Sequence, residues 1–182
     1  MKRKRHISGF TLIEILVSVG ILATIAIVVA QAFFTVLRSN SKTEILKDVK
    51  QSGEQAILTM TRLIKQAQEI TSECEADGAE SSSLSLVNAD GGTTTFACNL
   101  DAGVTRIASV SGSTEYLTDR QVTIGGESCA AATLTFVCTA MAGLPSKVTV
   151  SFFLTQTGTS EDQAQQAQES FQSTVLIRNE RP

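Results

Sequence analysis

The sequence predicts an α+β protein in which a long N-terminal helix packs on an antiparallel β-sheet. Ile15–Leu37 is an uninterrupted run of 23 uncharged, mostly aliphatic residues. Ser39–Ile70 then keeps apolar residues at spacings of mostly three and four, which is typical of an amphipathic helix. From Ser81 the period changes to two, in short β-prone runs that turn residues separate. A helix followed by a run of strands places the fold in the α+β class.

The distribution of charge excludes several classes of function. The chain has 182 residues, of which 42% are apolar and 18% charged, and four of its 15 basic residues lie in Lys2–Arg5. Without residues 1–9 it keeps 11 basic and 18 acidic residues, a net charge of −7. Such a body disfavours binding to nucleic-acid phosphates. His6 is the only histidine, so a chain that lost this segment would have no histidine for acid–base or metal chemistry.

The run Ile15–Leu37 is long enough to cross a membrane, because a helix needs about 20 apolar residues to span a hydrocarbon core of about 30 Å. The basic residues ahead of it predict that the N-terminus stays in the cytoplasm and that the remainder faces outwards. We therefore expect the chain in the cytoplasmic membrane, as a single-pass protein.

Glu14 is the anomaly of this segment. A carboxylate inside an apolar helix costs roughly 2.5 to 3.5 kcal/mol on insertion scales, so it needs a partner. A cut between Gly9 and Phe10 would create an α-amino group four residues before Glu14. That amine would be a charged partner for the carboxylate, in the same chain or in a neighbour.

The segment KRKRHISGFTLIEILVSVGILATIAIVVA resembles the N-terminal signal of type IV prepilins and type II secretion pseudopilins. The residues that carry the resemblance are the short basic leader that ends in Gly9, Phe10 as the first mature residue, and Glu14 as the fifth. The resemblance implies a pilin-like fold, cleavage after Gly9 by a prepilin peptidase and N-methylation of Phe10. It also implies that Glu14 pairs with the methylated amine of Phe10 as subunits join.

By this resemblance the chain is expected to be a structural subunit and not an enzyme. A minor pilin or pseudopilin would join a type IV pilus, a competence pilus or a type II secretion pseudopilus, all of which use the same signal. Its partners would be other pilin or pseudopilin subunits, the prepilin peptidase and methyltransferase, and the cytoplasmic membrane. The final location would be an extracytoplasmic fibre.

Two other interpretations of the N-terminus stay open at this point. Ala30-Gln31-Ala32 mimics the A-x-A cleavage site of an ordinary secretory signal, and the apolar run alone would also serve as a plain anchor. Either would make the chain an exported ligand-binding or adhesin module. Glu14 argues against a secretory signal, whose apolar region is usually uncharged and only about 7 to 15 residues long.

These patterns divide the chain into a leader over residues 1–9, a transmembrane or fibre-core helix over 10–38, an amphipathic helix over 39–72 and a β-rich globular domain over 73–182. No proline precedes Pro145, so one helix is predicted from Phe10 to about Thr71.

The β-rich domain is predicted to contain eight strands. They are Leu84–Asn88, Thr93–Cys98, Val104–Val110, Thr114–Thr118, Val122–Ile124, Thr133–Cys138, Val148–Leu154 and Phe171–Arg178. No helical crossovers separate them, so antiparallel pairing is expected. One face of the sheet is expected to pack on the helical stripe Met60, Leu63, Ile64 and Ala67. The polar stretch Thr159–Glu169 is expected to be an exposed loop or a short solvated helix.

Cys74, Cys98, Cys129 and Cys138 are predicted to form disulfides, because their number is even and the domain is expected to be exported. Sequence proximity favours Cys74 with Cys98 and Cys129 with Cys138. The second pair is close to the limit of reach: an extended Thr133–Cys138 covers about 17 Å, and the four residues back to Cys129 recover only about 13 Å. The other connectivities, and free buried thiols, remain alternatives.

No pattern for enzymatic, metal or cofactor chemistry is present in the sequence. The cysteines lack CxxC spacing, so a zinc site is not expected. Four aspartates lie in predicted loops but do not match an EF-hand register: Asp77, Asp90, Asp101 and Asp119. The basic residues of the body are dispersed along the sequence and aromatic residues do not interleave with them: Arg106, Arg120, Lys147 and Arg178. Contact with nucleic acid is therefore disfavoured without being excluded.

Overall fold

A computed structural model describes residues 10–72, 74, 77–140, 145–158 and 167–177, with the backbone alone at residues 38, 40, 41 and 79. The chain divides into two compact units, residues 1–41 and 42–182. The helix α1, Leu12–Gln66, contributes to both. The strands are β1 Glu69–Ile70, β2 Ala79–Ser81, β3 Ser83–Val87, β4 Thr93–Asp101, β5 Val104–Ser111, β6 Ser113–Tyr116, β7 Val122–Thr123, β8 Thr135–Thr139, β9 Lys147–Gln156 and β10 Gln168–Leu176. A short 3₁₀ helix, Cys129–Ala131, precedes β8.

The α+β class is confirmed, with one difference in the sheet. The strands form two sheets: the first has the order β1-β3-β4-β5-β6, and the second has the order β10-β9-β8-β2, with β7 paired to β9. Each described pairing is antiparallel. β9 pairs with two strands along one edge: its first half pairs with β8 and its last two residues pair with β7. Alternation with a period of two shows which residues face the core, but it does not show which strands are neighbours.

The part of α1 in the second unit buries the predicted stripe. Met60, Ile64 and Ala67 are buried, and Leu63 is partly buried against the same core. The same hydrophobic cluster contains side chains from both sheets, among them Phe96 of β4, Phe136 of β8, and Phe152 and Leu154 of β9. The helix and the two sheets of this unit therefore share one hydrophobic core.

The helix ends five residues earlier than predicted. Beyond Gln66, the backbone N–H of Gln68 donates to Val87 O at 2.8 Å, and β1 pairs with β3 through Glu69–Val87 and Ile70–Leu86. These backbone groups therefore bond to a strand instead of continuing the helical ladder. The apolar spacing that continues to Ile70 could not show this change. A single apolar residue after Ala67 fits a further helical turn and a two-residue strand equally well.

Several strand boundaries also differ from the predicted ones. β1 and β2 were not predicted, because two or three residues are too few to show a period. β10 begins at Gln168 instead of Phe171, since its polar first residues pair with Leu154 and Thr155 of β9. Residues 159–166 of the predicted loop and Arg178 lie outside the described residues.

The predicted disulfide pairing was wrong. The structure joins Cys74 to Cys138, with Cα atoms 4.8 Å apart, and Cys98 to Cys129, with Cα atoms 5.5 Å apart. Cys138 of β8 lies opposite Ala79 of β2, five residues after Cys74, so the pairing of β2 with β8 brings the two cysteines together. Cys129 lies in the 3₁₀ helix and reaches Cys98 of β4.

Gly53 of α1 lies where an aromatic ring approaches the helix. Phe171 of β10 stacks on Phe152 with ring centroids 5.2 Å apart. A Cβ added at Gly53 would lie within 3.0 Å of three atoms of the Phe171 ring. A bare Cα at this position therefore leaves the space that the ring occupies.

Gly53→Ala is expected to destabilise the second unit although alanine is the better helix former. The gain in helix propensity is about 1 kcal/mol, whereas overpacking a core costs about 1 to 3 kcal/mol. Denaturant unfolding should give a net loss of about 1 kcal/mol. In a Phe171→Leu background the same substitution should cost less, because the ring atoms are gone. An equal loss in both backgrounds would contradict the steric explanation.

Candidate assembly site

The N-terminus of α1 carries the predicted assembly residue in its first turn. The backbone N–H of Glu14 donates to Thr11 Oγ1 at 3.4 Å and to Thr11 O at 3.1 Å. Thr11 is therefore the N-cap, and Glu14 is the third residue of the helix. A carboxylate in the first turn is also favoured by the positive end of the helix dipole. Glu14 thus has a local role in beginning the helix, beside any role between subunits.

The helix after Glu14 presents apolar side chains in every direction. Its large side chains from Leu12 to Leu37 remain 46% to 78% exposed. Within the described residues one helix, α1, is long and apolar enough to cross a membrane. A helix that is apolar all round requires burial in a membrane or against other helices.

A charged cluster of Asp101, Arg106 and Arg120 joins the first sheet to the loop after β6. Asp101 accepts a bidentate pair of hydrogen bonds from Arg120, Nε to Oδ2 at 2.9 Å and Nη2 to Oδ1 at 3.2 Å. Arg106 Nη1 donates to the same carboxylate. Arg106 is only 8% exposed, and its guanidinium also donates to Thr118 O and lies 4.1 Å from the centre of the Tyr116 ring. The buried charge of Arg106 is thereby paired with a carboxylate that it shares with Arg120.

A polar groove of about 740 Å³ runs beside this cluster. It is lined by Asp48, Gln51, Ser52 and Gln55 of the helix and by Arg106 and residues 116–122. Ser52 Oγ accepts the backbone N–H of Asp119 at 3.0 Å, which attaches the loop to the helix. Among the described residues no buried side-chain N or O atom lacks a hydrogen-bond partner, so these contacts hold the loop in place.

The Asp101 cluster makes stability depend on acidity in a defined direction. Hydrogen bonds from Arg120, and then from Arg106, hold the pKa of Asp101 below its usual range. A lowered pKa in the folded state gives stability that is fully present above the ordinary value of about 3.9. That stability is lost as the pH falls through the lower folded pKa.

Asp101→Asn should therefore lower the melting temperature at neutral pH and flatten its decline below about pH 4. The matched control is Glu115→Gln on the exposed strand β6, which should leave both the melting temperature and its acid dependence close to wild type. Equal acid dependence in wild type and Asp101→Asn would contradict the assignment.

The comparison with protein families concerns the N-terminal helix. Residues 4–30 match the family described as the prokaryotic N-terminal methylation motif. This match supports a type IV pilin- or pseudopilin-like protein. The match includes Gly9, Phe10 and Glu14, which are the residues that carry the resemblance. No curated protein and no solved structure matches the chain significantly.

In this pilin-like chain the predicted processing and assembly residues adjoin each other at the start of the helix. Phe10 is 79% exposed and precedes the N-cap, and Glu14 follows in the first turn. Gly9 lies outside the described residues. The motif and the apolar helix fit a membrane-anchored pilin, and the motif indicates a structural subunit.

Two of the aspartates singled out in the sequence accept hydrogen bonds inside their own turns. Asp90 Oδ1 accepts the N–H of Gly92 at 2.9 Å, and Asp119 Oδ1 accepts that of Gln121 at 3.3 Å. Of the four dispersed basic residues, Arg106 and Arg120 share Asp101. Across the described residues no group of three or more His, Cys, Asp or Glu side chains is placed to hold a metal ion.

Thr11 is the residue of this site that was missed in the sequence. The signal was present, because Thr11-Leu12-Ile13-Glu14 has the S/T-x-x-E pattern of a capping box. The charged cluster was not predictable in the same way, since its members come from three segments of the chain.

Proposed function

We propose that this chain is a minor pilin or pseudopilin that is cleaved after Gly9, N-methylated at Phe10 and assembled into an extracytoplasmic fibre. The leader is residues 1–9, the membrane or fibre-core helix is 10–38, and the amphipathic helix continues from there to Gln66. The displayed domain is the β-rich part that follows. The chain is inserted with its N-terminus in the cytoplasm and later joins other pilin or pseudopilin subunits.

The observation that carries the proposal is Glu14 in the first turn of an exposed, apolar helix. A carboxylate at the centre of a membrane helix costs roughly 2.5 to 3.5 kcal/mol, so a secretory signal or a plain anchor has no use for one beside its apolar run. Cleavage at Gly9 leaves Phe10 with an α-amino group, so the charge of Glu14 acquires an opposite one close to its own depth. A neighbouring subunit's amine serves equally well, and the pair then selects the register in which subunits dock.

The displayed domain is consistent with export. Both disulfides fix segments that are distant in sequence, and disulfides form and persist in oxidising compartments. The acidic balance of the body after removal of residues 1–9 also fits a displayed domain better than a nucleic-acid-binding one.

The mature N-terminus tests this proposal directly. The intact mass of the purified protein should equal residues 10–182 plus one methyl group. A chain that begins at Phe33 would identify an ordinary secretory signal, and one that begins at Met1 or Lys2 would identify a simple anchor. Either of those masses would overturn the proposal in favour of an exported binding module.

A further inference from the structure

The apolar run Ile15–Leu37 contains one side-chain amide, Gln31. The hydroxyls of the same run bond to their own helix: Ser18 Oγ donates to Glu14 O, Thr24 Oγ1 to Ile21 O and Thr35 Oγ1 to Gln31 O. Within the part of the chain that the structure describes, the side chain of Gln31 is exposed and has no hydrogen bond. Its amide is therefore available to a partner outside the chain.

The position of Gln31 places that amide in the hydrocarbon. The run has its midpoint at Ala26, and at 1.5 Å per residue Gln31 lies about 8 Å beyond it. Half of a hydrocarbon core is about 15 Å. An amide without a hydrogen bond at this depth costs a few kcal/mol, so a membrane-inserted chain is stabilised by any partner that can both donate to it and accept from it.

We infer that Gln31 pairs two copies of this chain in the membrane before assembly. Copies that insert with the same orientation, which rests on the proposed function, hold Gln31 at the same depth. The carboxamide both donates and accepts, so two of them across a parallel two-fold axis satisfy each other. A polar side chain that bridges helices in this way stabilises their association in membranes.

The paired face is defined by the helical periodicity. At 100° per residue, Thr24, Gln31 and Thr35 lie within an arc of about 40°, whereas Leu22 and Val29 lie on the opposite side. The pairing therefore predicts that Thr24, Gln31 and Thr35 of one copy approach the same residues of the other. The two helices lie side by side without a shift along their axes.

Cysteine cross-linking of the full chain in its own membranes tests the inference. Thr24→Cys should give cross-linked dimer on mild oxidation, and Leu22→Cys, the matched control on the opposite face, should give little. The native cysteines are paired with each other and do not interfere. Gln31→Leu in the Thr24→Cys background should reduce the dimer about three- to thirty-fold, and Gln31→Asn should retain part of it.

Equal cross-linking at positions 22 and 24, or a dimer that Gln31→Leu leaves unchanged, would overturn the inference. Removal of residues 1–9 is measured by mass in the same samples, so the two ideas fail separately. A processed chain without amide-dependent dimer removes the pairing and leaves the pilin-like function standing. An unprocessed chain with amide-dependent dimer supports the pairing and removes the proposed processing.

Discussion

Glu14→Gln is expected to leave the chain inserted, processed and folded while reducing its incorporation into fibres by at least about a hundredfold. Glutamine has nearly the same shape, and it still suits the third helical position of a capping box. It loses the negative charge that the amine of Phe10 requires. Leaving one charge of a desolvated pair without its partner costs about 3 to 5 kcal/mol, which exceeds two powers of ten.

Thr11→Ala is the matched control for this experiment, because it removes the cap and keeps the carboxylate. It should weaken the first turn by about 1 kcal/mol and reduce incorporation far less than Glu14→Gln does. The measurement is the ratio of this subunit in sheared fibres to that in the membrane fraction, by quantitative immunoblotting. Wild-type incorporation of Glu14→Gln, or equal defects in both variants, would show that the charge does not set the register.

Removing either disulfide is expected to lower the free energy of unfolding of the second unit by about 4 kcal/mol, a large share of the 5 to 15 kcal/mol that is typical of a domain. The bonds close segments with sequence separations of 64 and 31 residues. Loop-closure entropy grows slowly with length, so the double variant Cys74→Ala, Cys138→Ala should lose about 0.6 kcal/mol more than Cys98→Ala, Cys129→Ala. Urea denaturation in detergent measures both.

The connectivity gives this prediction a second readout. Peptide mapping of the non-reduced protein should recover Cys74 linked to Cys138 and Cys98 linked to Cys129, with no reactive thiol. The mixed variant Cys74→Ala, Cys98→Ala breaks both bonds, and it should be less stable than either matched double variant. Recovery of Cys74 linked to Cys98, or a stability that reductant does not change, would contradict the arrangement.

The sequence of the first 37 residues was sufficient to predict the N-terminal signal and the apolar helix. The uncharged run and Glu14 lie within one helix, so their spacing along the chain also sets their spacing in space. The same holds for the stripe Met60, Ile64 and Ala67, which a period of 3.6 brings to one helix face. Alternation in the later segments likewise identified most strands, because the side-chain period of a strand is a property of that segment alone.

Contacts between distant segments could be found only in the tertiary structure. Cys138 bonds to Cys74 because β8 lies beside β2, and Cys129 reaches Cys98 of a strand in the first sheet, although sequence proximity favours other partners. Helix α1 ends at Gln66 because β3 supplies the next hydrogen bonds. Asp101, Arg106 and Arg120 meet where strand ends converge, and the ring of Phe171 makes Gly53 necessary. Each of these contacts depends on which strands are neighbours in the sheets. Periodicity carries no information about strand order, because every neighbouring strand offers the same backbone donors and acceptors.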